Sequence, residues 1–271
     1  MPLSQISDDL IHVPEANSGW RESYYFDFYD PVLGIGMWHS VGKRPHKGHS
    51  GYALGAWGLH TLAGIGRDHF SEHTEQHLVG GMRYECIEPL KQWRTTFNGD
   101  LGMPTPQRRL DVRSLLPEGQ VEMPRVPVQF DLTFTGISPA YTYRDLPVWK
   151  PLFSGHLDQL GRTTGTLTIG DQTYAIDGVG GRDRSWGTRD WAYPRMWRFI
   201  DLVGDGFNLT HCSHGSRPWH HDGRRLRPGW FGVHAGGRLQ GNRADRGSTR
   251  QAHTQVAVVR SRYRRRAHLP H

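Results

Sequence analysis

The sequence predicts an all-β protein, built as a barrel or a sandwich of antiparallel strands. Apolar and polar residues alternate in many short segments, and Gly and Pro residues separate these segments. No apolar stripe with helical spacing extends over a useful length. A chain of 271 residues can bury one large β domain or two smaller ones, so length alone does not decide between these arrangements.

The N-terminal half is predicted to hold the first set of strands. Tyr24, Phe26 and Phe28 alternate with Tyr25 and Asp27, which is the period of two expected when one face of a strand is buried. Residues 1–22 precede this pattern and are interpreted as an N-terminal extension. Turn residues separate further predicted strands at 34–42, 51–57, 82–88 and 91–97.

A Pro-rich segment, 101–127, shows no periodicity and is predicted to connect two halves of the fold. The clearest strand pattern in the chain follows it, with alternating Val128, Phe130, Leu132 and Phe134. More strands are predicted at 164–169, 173–177, 197–202 and 207–212, the last two joined by a Gly204-Asp205-Gly206 hairpin turn. We therefore predict a first β domain over 23–125, which includes the connector, and a second over 126–212.

A short internal similarity bears on the number of barrels. His73-Thr74-Glu75-Gln76 precedes one predicted strand, and His156-Leu157-Asp158-Gln159 precedes another. Both segments share the pattern His-x-acid-Gln. Because a match of this length can arise by chance, a duplicated barrel and a single one both stay open.

Residues 213–271 differ in composition from the rest of the chain. They contain 13 Arg and no Lys against two acids, Asp222 and Asp245, so this segment carries a charge of +11 and the preceding residues carry −4. The net charge of +7 therefore does not by itself indicate a nucleic-acid-binding domain. We interpret the segment as disordered or as out-of-frame translation of a GC-rich gene. The alternative is a genuine basic tail that binds nucleic acid.

Other features limit the class of protein. No apolar run approaches the roughly 18 residues that a membrane helix needs, and residues 1–20 lack the apolar stretch of a secretory signal. Cys86 and Cys212 are too few for a disulfide scaffold and lack the spacing of a zinc site. The sequence thus predicts a cytoplasmic protein without a membrane span, and it does not indicate an oligomeric state.

The segment from Gly178 to Trp191 concentrates groups that could carry chemistry. Three arginines and two carboxylates cannot all be buried there unless they pair. One interpretation is a salt-bridged corner where a strand turns, with tryptophans packing the end of the barrel. The other is a site in which a carboxylate faces a cavity lined by Trp, while Gly allows close approach of the backbone. The residues concerned are Arg182, Asp183, Arg184, Trp186, Arg189, Asp190 and Trp191.

This segment reads Gly-x-Gly-x-Arg-Asp-x-Ser-Trp-Gly-x-Arg-Asp-Trp and resembles the signature of the bacterial hydroxyneurosporene synthase (carotenoid 1,2-hydratase) and AttH-like superfamily. Residues 24–30 and 34–39, the His73 and His156 segments and residues 84–99 extend the resemblance over about 23–212. It implies two lipocalin-like, calycin-type antiparallel barrels or half-barrels. The second is expected to be incomplete, because members of the superfamily continue with more strands after the hairpin that ends here at Cys212.

The resemblance also implies a hydrophobic cavity and acid-initiated hydration, isomerisation or cyclisation of an alkene. Asp183 or Asp190 would protonate the double bond, and Trp186 would stabilise the cation by about 1–2 kcal/mol. Arg184 stands where the superfamily pattern has His, and an arginine stays protonated, so the acid role shifts to Asp183. The candidate catalytic residues are Asp183, Asp190 and Arg184. The candidate ligand-binding residues are Trp186, Trp191, Trp38, His39, Tyr84 and His156.

A metal site is conceivable at His69, Glu72, His73, Glu75 and His77, since His73 and His77 would share one face of a helix. The context predicts loop or strand, where these residues spread apart, so neither a metal nor another cofactor is predicted. The leading hypothesis is a cofactor-independent hydratase, isomerase or cyclase-like enzyme that acts on an apolar terpenoid, steroid-like or polyketide molecule. The alternatives are a non-catalytic lipocalin-like carrier of a hydrophobic ligand and a protein that binds nucleic acid through its basic tail.

Overall fold

The computed structural model describes residues 3–58, 62–69, 77–104, 124–143, 153–189, 196–204, 207–215, 230–237 and 256–263. Within these ranges the chain forms β-strands and two short 3-10 turns, Ile6–Asp9 and Pro45–Lys47, which confirms the all-β prediction. Neither turn has the length and apolar character of a membrane span. The strands are β1 (Trp20–Asp30), β2 (Ile35–Arg44), β3 (His49–Trp57), β4 (Leu62–His69), β5 (His77–Val79), β6 (Met82–Glu88), β7 (Gln92–Gly102), β8 (Arg125–Gly136), β9 (Tyr141–Thr142), β10 (Gly155–Ile169), β11 (Gln172–Thr188), β12 (Met196–Gly204), β13 (Phe207–Gly215), β14 (Trp230–Gly237) and β15 (Val256–Tyr263).

Eight of these strands form a closed antiparallel barrel of lipocalin-like type. Their order is β4-β3-β2-β1-β11-β10-β8-β7, and β7 pairs back to β4 between Gly102 and Ala63. Strands β6 and β5 continue the sheet beyond β7, and β9 pairs with β10. Closure into a barrel reduces the unpaired edge that the strands expose and so limits pairing with other chains.

The barrel takes strands from both sides of residue 125, where the sequence predicts a division into two domains. Strand β7 pairs with β8 along its whole length, from Gln92 opposite Thr135 to Gly102 opposite Arg125. The predicted boundary therefore falls between two neighbouring strands of one barrel.

A second sheet contains four strands in the order β14-β13-β12-β15. Strands β12 and β13 contain the predicted strands at 197–202 and 207–212. Strands β14 and β15 lie within 213–271, which the composition led us to interpret as disordered or frame-shifted. The apolar run that starts at Val256 is part of β15, and it pairs with β12.

The barrel core is formed by alternate residues, as the period of two predicts. Tyr24, Phe26 and Phe28 of β1 are buried, as are Phe130 and Phe134 of β8. These side chains pack with apolar residues of the other barrel strands in one cluster. The interior between the described strands is thus occupied by side chains, many of them aromatic.

Strands β10 and β11 form the longest hairpin, in which every residue of β10 pairs with β11. The segment 178–188 lies within β11, so it is an extended strand and not a corner. A Cβ atom at Gly180 would lie 2.2 Å from the carbonyl oxygen of Asp27 in β1. Glycine is therefore required there because the two backbones approach closely.

Candidate functional site

Strand β11 presents different chemistry on its two faces. Successive side chains of a strand point to opposite sides, so Arg182 and Arg184 share one face, and Asp183 and Ser185 share the other. The arginine face points into the end of the barrel, where both guanidinium groups are buried. Asp183 and the two buried arginines, Arg182 and Arg184, therefore do not belong to one site.

Arg182 forms a buried ion pair with the N-terminal segment. Its Nη1 and Nη2 atoms donate to the two carboxylate oxygens of Asp9 over 2.6 and 2.9 Å, and its Nε donates to Gln159 over 2.8 Å. The backbone N–H of Leu90 and the indole N–H of Trp93 also donate to Asp9. Burial opposes ionisation of Asp9, but Arg182 outweighs it and lowers the pKa of Asp9 below 3.8.

Arg184 is fixed in a similar way by residues of β1. Its Nη2 donates to Glu22 Oε1 and to the Tyr24 hydroxyl, each over 2.7 Å. His12 lies 2.9 Å from the same Glu22 oxygen, and its ring stacks on Trp186 at 3.7 Å. Arg184 and Trp186, both predicted as site residues, thus close the end of the barrel together with residues 9–22.

The other face of β10 and β11 carries a compact group of ligating side chains, which we call the Asp–His cluster: His156, Asp158 and Asp183. One donor atom from each lies within 4.8 Å of the others. Asp158 is directly opposite Asp183 in the β10–β11 register, and His156 Nε2 is 3.1 Å from Asp158 Oδ1. His156 and Asp158 are 5% and 3% exposed and are therefore shielded from water, whereas Asp183 is partly exposed.

Aromatic and hydroxyl groups surround this cluster. The Tyr143 hydroxyl donates to Asp158 Oδ2 over 2.5 Å, and the rings of Tyr143 and Phe153 lie 5.0 and 4.7 Å from the His156 ring. Arg189 lies over the Phe153 ring and donates to Ser185 Oγ over 2.8 Å. Burial lowers the pKa of Arg189 to about 9, with Arg21 adding to the shift and Asp183 opposing it.

His39 and Tyr84, two other predicted ligand-binding residues, lie inside the barrel. His39 Nδ1 is 2.6 Å from the Tyr84 hydroxyl, and the rings of Phe26 and Phe130 pack on His39. Burial lowers the pKa of His39 to about 3 and raises the pKa of Tyr84 well above 10. Both side chains are therefore neutral core residues, and each is the hydrogen-bond partner of the other.

Trp38 points away from the barrel core, unlike His39 beside it on β2. Its ring stacks on Tyr25 at a centroid distance of 6.2 Å, and Tyr25 is the residue of β1 directly opposite Asp183. Trp38 and Tyr25 thus share the sheet face of the Asp–His cluster.

The structure brings the predicted site residues Asp183 and His156 together in the Asp–His cluster, and it brings His39 and Tyr84 together separately inside the barrel. Asp190 and Trp191 lie outside the described residues, as do Glu72, His73 and Glu75 of the conceivable metal site. Asp158 and Tyr143 were not predicted. The His156-Leu157-Asp158 spacing carried a usable signal for Asp158, because residues two apart in a strand share a face.

The family described as a domain of unknown function, DUF7064, matches residues 5–259. That match includes most of the Arg-rich segment 213–271. No curated protein matches the sequence.

Several solved structures are similar to this one at low sequence identity. An AttH-like protein from Nitrosomonas europaea has a TM-score of 0.50 and 10% identity, over 73% of this chain and 61% of that one. Kievitone hydratase from Nectria haematococca has a TM-score of 0.45 and 11% identity, over 79% and 61%. CghA in complex with Sch210972 has a TM-score of 0.43 and 12% identity, over 85% and 64%. The chain spans less than two thirds of the length of each, and at these identities the likeness concerns the fold alone.

Proposed function

The chain belongs to the DUF7064 family, a domain of unknown function, and from its own side chains we propose that it is a cofactor-independent, hydratase-like enzyme that acts on an apolar small molecule. The observation that carries this proposal is the Asp–His cluster, in which two carboxylates and an imidazole meet on a largely buried sheet face. Asp158 lies opposite Asp183 and 3.1 Å from the His156 imidazole, so a proton held by the cluster can pass among these groups. A carboxylic acid of this kind can donate that proton to a substrate.

In the proposed reaction Asp183 donates a proton to one carbon of an alkene, and a carbocation forms at the other carbon. Water then adds to the cation and loses a proton to the second acid–base group, Asp158 or His156, so that the net reaction adds one water. Loss of a proton from the cation gives an isomer instead, and attack by an internal nucleophile gives a ring. The Tyr143 hydroxyl holds Asp158 in position through its hydrogen bond.

In this proposal Trp38 and Tyr25 stabilise the cation. The family resemblance assigns that role to Trp186. Trp186 is on the opposite face of β11 from Asp183 and stacks on His12, whereas Tyr25 is directly opposite Asp183. An aromatic face within about 6 Å of a desolvated cation contributes on the order of 2 kcal/mol. Together with the resemblance of residues 178–191 to a carotenoid hydratase signature, this aromatic wall supports terpenoid, steroid-like or polyketide alkenes as substrates.

Deuterium transfer tests the proposal even when the product is unidentified. The protein is incubated with a panel of terpenoid, steroid and polyketide alkenes in deuterated water, and mass spectrometry detects the new C–D bond that protonation from Asp183 creates. We expect Asp183→Asn to lower the rate of incorporation by at least about 100-fold. The control is Asp177→Asn, the same substitution at an exposed position of the same strand.

Two results would contradict this function. Equal incorporation by the wild type and by Asp183→Asn would exclude Asp183 as the acid. If the wild type and Asp183→Asn bind a panel member with equal affinity and neither transfers deuterium, the protein is a lipocalin-like carrier.

A further inference from the structure

The donor atoms of the Asp–His cluster are spaced like the ligands of a metal ion. His156 Nε2 and Asp158 Oδ1 are 3.1 Å apart, and all three donor atoms lie within 4.8 Å of one another. Ligands that bind a tetrahedral ion at about 2.0–2.2 Å are about 3.3–3.6 Å from each other. Rotations of the side chains are therefore sufficient to bring the three donors to these distances.

The backbone that carries the three donors is regular and paired. Asp158 and Asp183 are opposite each other in an uninterrupted register, and His156 is two residues from Asp158 on the same face of β10. Sites built on paired strands hold their donors more precisely than sites on loops. The backbone thus places the three side chains on one face before any ion binds, and only side-chain rotations remain.

Charge and surroundings favour a cation at this position. Two carboxylates place negative charge in the cluster, where Asp158 is buried and Asp183 is partly exposed. A divalent ion would add to the positive charge that Arg189 brings near Asp183. Asp158 also has the outer hydrogen bond that is typical of a ligating carboxylate, because the Tyr143 hydroxyl donates to its second oxygen. The Phe153 and Tyr143 rings cover the imidazole.

From this geometry we propose that His156, Asp158 and Asp183 bind one divalent transition-metal ion, and that zinc is the ion that fits best. One imidazole nitrogen and two carboxylate oxygens suit zinc, whereas magnesium and calcium prefer oxygen ligands alone. Three protein ligands leave a fourth position for water. The inference does not depend on the proposed acid chemistry, which belongs to the metal-free cluster. The zinc-bound cluster is a second state, in which the ligating carboxylates are deprotonated and Asp183 does not act as the acid.

Calorimetric titration of zinc chloride into the chelator-treated full-length protein tests the site without any substrate. We expect one tight site in the wild type, weaker zinc binding at lower pH because protons compete for the ligands, and no comparable site for magnesium or calcium. Tyr143→Phe removes only the outer hydrogen bond and should weaken zinc binding by about 10–100-fold. Asp158→Asn and Asp183→Asn should weaken it by more than that.

Asp177→Asn is the matched control, and it should leave zinc affinity unchanged. The chain contains 17 histidines, so weak binding elsewhere is expected in every variant, and the tight site is the one to compare. Tight binding that is equal in the wild type, Asp158→Asn and Asp183→Asn would overturn the proposal, as would its absence from the wild type.

X-ray absorption of the zinc-loaded wild type keeps the proposal testable if a ligand variant fails to fold. We expect one imidazole nitrogen, with oxygen donors for the remainder of the shell. Several imidazoles or a sulfur donor would overturn the proposal. Zinc binding with no deuterium transfer in any condition would leave the metal site standing and refute the proposed enzyme.

Discussion

At the scale of single residues, burial determines which titratable groups can exchange protons. His39 is inside the barrel, where burial disfavours the imidazolium and lowers its pKa to about 3. Its partner Tyr84 also stays neutral, because burial raises its pKa well above 10. Neither group can supply a proton near neutral pH. In the proposed reaction, proton transfer is therefore assigned to the Asp–His cluster on the other side of the sheet and not to this pair.

The burial of neutral His39 should make the protein less stable in acid. The unfolded chain binds a proton at this residue below a pH of about 6.5, whereas the folded chain does so only near 3. The contribution of His39 to the free energy of unfolding is therefore fully present above pH 6.5. It falls by about 1.4 kcal/mol per pH unit as the pH decreases towards 3. We expect His39→Gln to show a smaller pH dependence of its free energy of unfolding, measured by urea denaturation. Identical slopes in the two proteins would contradict this account of His39.

At the scale of elements, the Ile6–Asp9 turn closes one end of the barrel. Asp9 contacts three separate elements, since Leu90 precedes β7, Trp93 lies in β7 and Arg182 lies in β11. The sequence pattern alone suggested that residues 1–22 are an extension of the fold. Within it, Asp9 is the partner of Arg182 and Glu22 is the partner of Arg184.

Removal of the Asp9 carboxylate should strongly destabilise the protein. Asp9→Ala leaves the Arg182 guanidinium buried without its bidentate partner, and breaking a buried pair in this way costs about 3–5 kcal/mol. Asp177→Ala breaks the exposed pair with Arg162 and should cost at most about 1 kcal/mol. Chemical denaturation measures both changes. Similar losses in the two variants would show that the turn does not anchor the barrel.

At the scale of the whole molecule, the barrel is closed unevenly. Strands β10 and β11 pair over the whole of β10, but β4 and β7 pair only between Ala63 and Gly102. Local opening occurs where few backbone hydrogen bonds and contacts must be lost. The β4–β7 seam is therefore the weakest connection among the described strands of the barrel.

Hydrogen exchange followed by mass spectrometry should detect this seam. We expect the backbone amides of β4 near Ala63 to exchange faster than those in the middle of β10 and β11. The β7–β8 pair is the internal control, because β7 is fully paired on that side and should be protected there. Equal protection of the β4 amides near Ala63 and of the β10–β11 amides would show that the closure is stronger than its pairing indicates.

Much of this architecture could be predicted where a strand has one buried face and one exposed face. Phe130 and Phe134 alternate with more exposed residues, and β8 was predicted from them. Strands β10 and β11 were predicted only over 164–169 and 173–177. In 155–161 and 180–186 nearly all positions are buried on both faces, so the alternation that marks a strand is lost.

The candidate site could be predicted only in part, for a related reason. Asp183 and His156 carry recognisable chemistry, and both are in the cluster. The sequence shows no link between Arg182 and Asp9, because 173 positions separate them and only the closed barrel brings them into contact. Without that link, the neighbouring charges of the signature segment look like one site. In the structure, alternate residues of β11 lie on opposite faces and belong to two different sites.

The signature segment therefore contains two alternating sets of residues. Of its residues in β11, the even-numbered ones face the interior of the barrel, and the odd-numbered ones face the outer side of the sheet. An engineer could vary residues 183 and 185 to change the chemistry of the outer face while residues 182 and 184 keep the barrel closed. A single-residue insertion upstream in β11 would turn each of these side chains to the opposite face of the strand. The carboxylate would then lie among aromatic rings, and the two guanidinium groups would lie beside His156. We therefore expect substitutions at alternate positions of this segment, those on the outer face, to be tolerated, whereas insertions and deletions should not be.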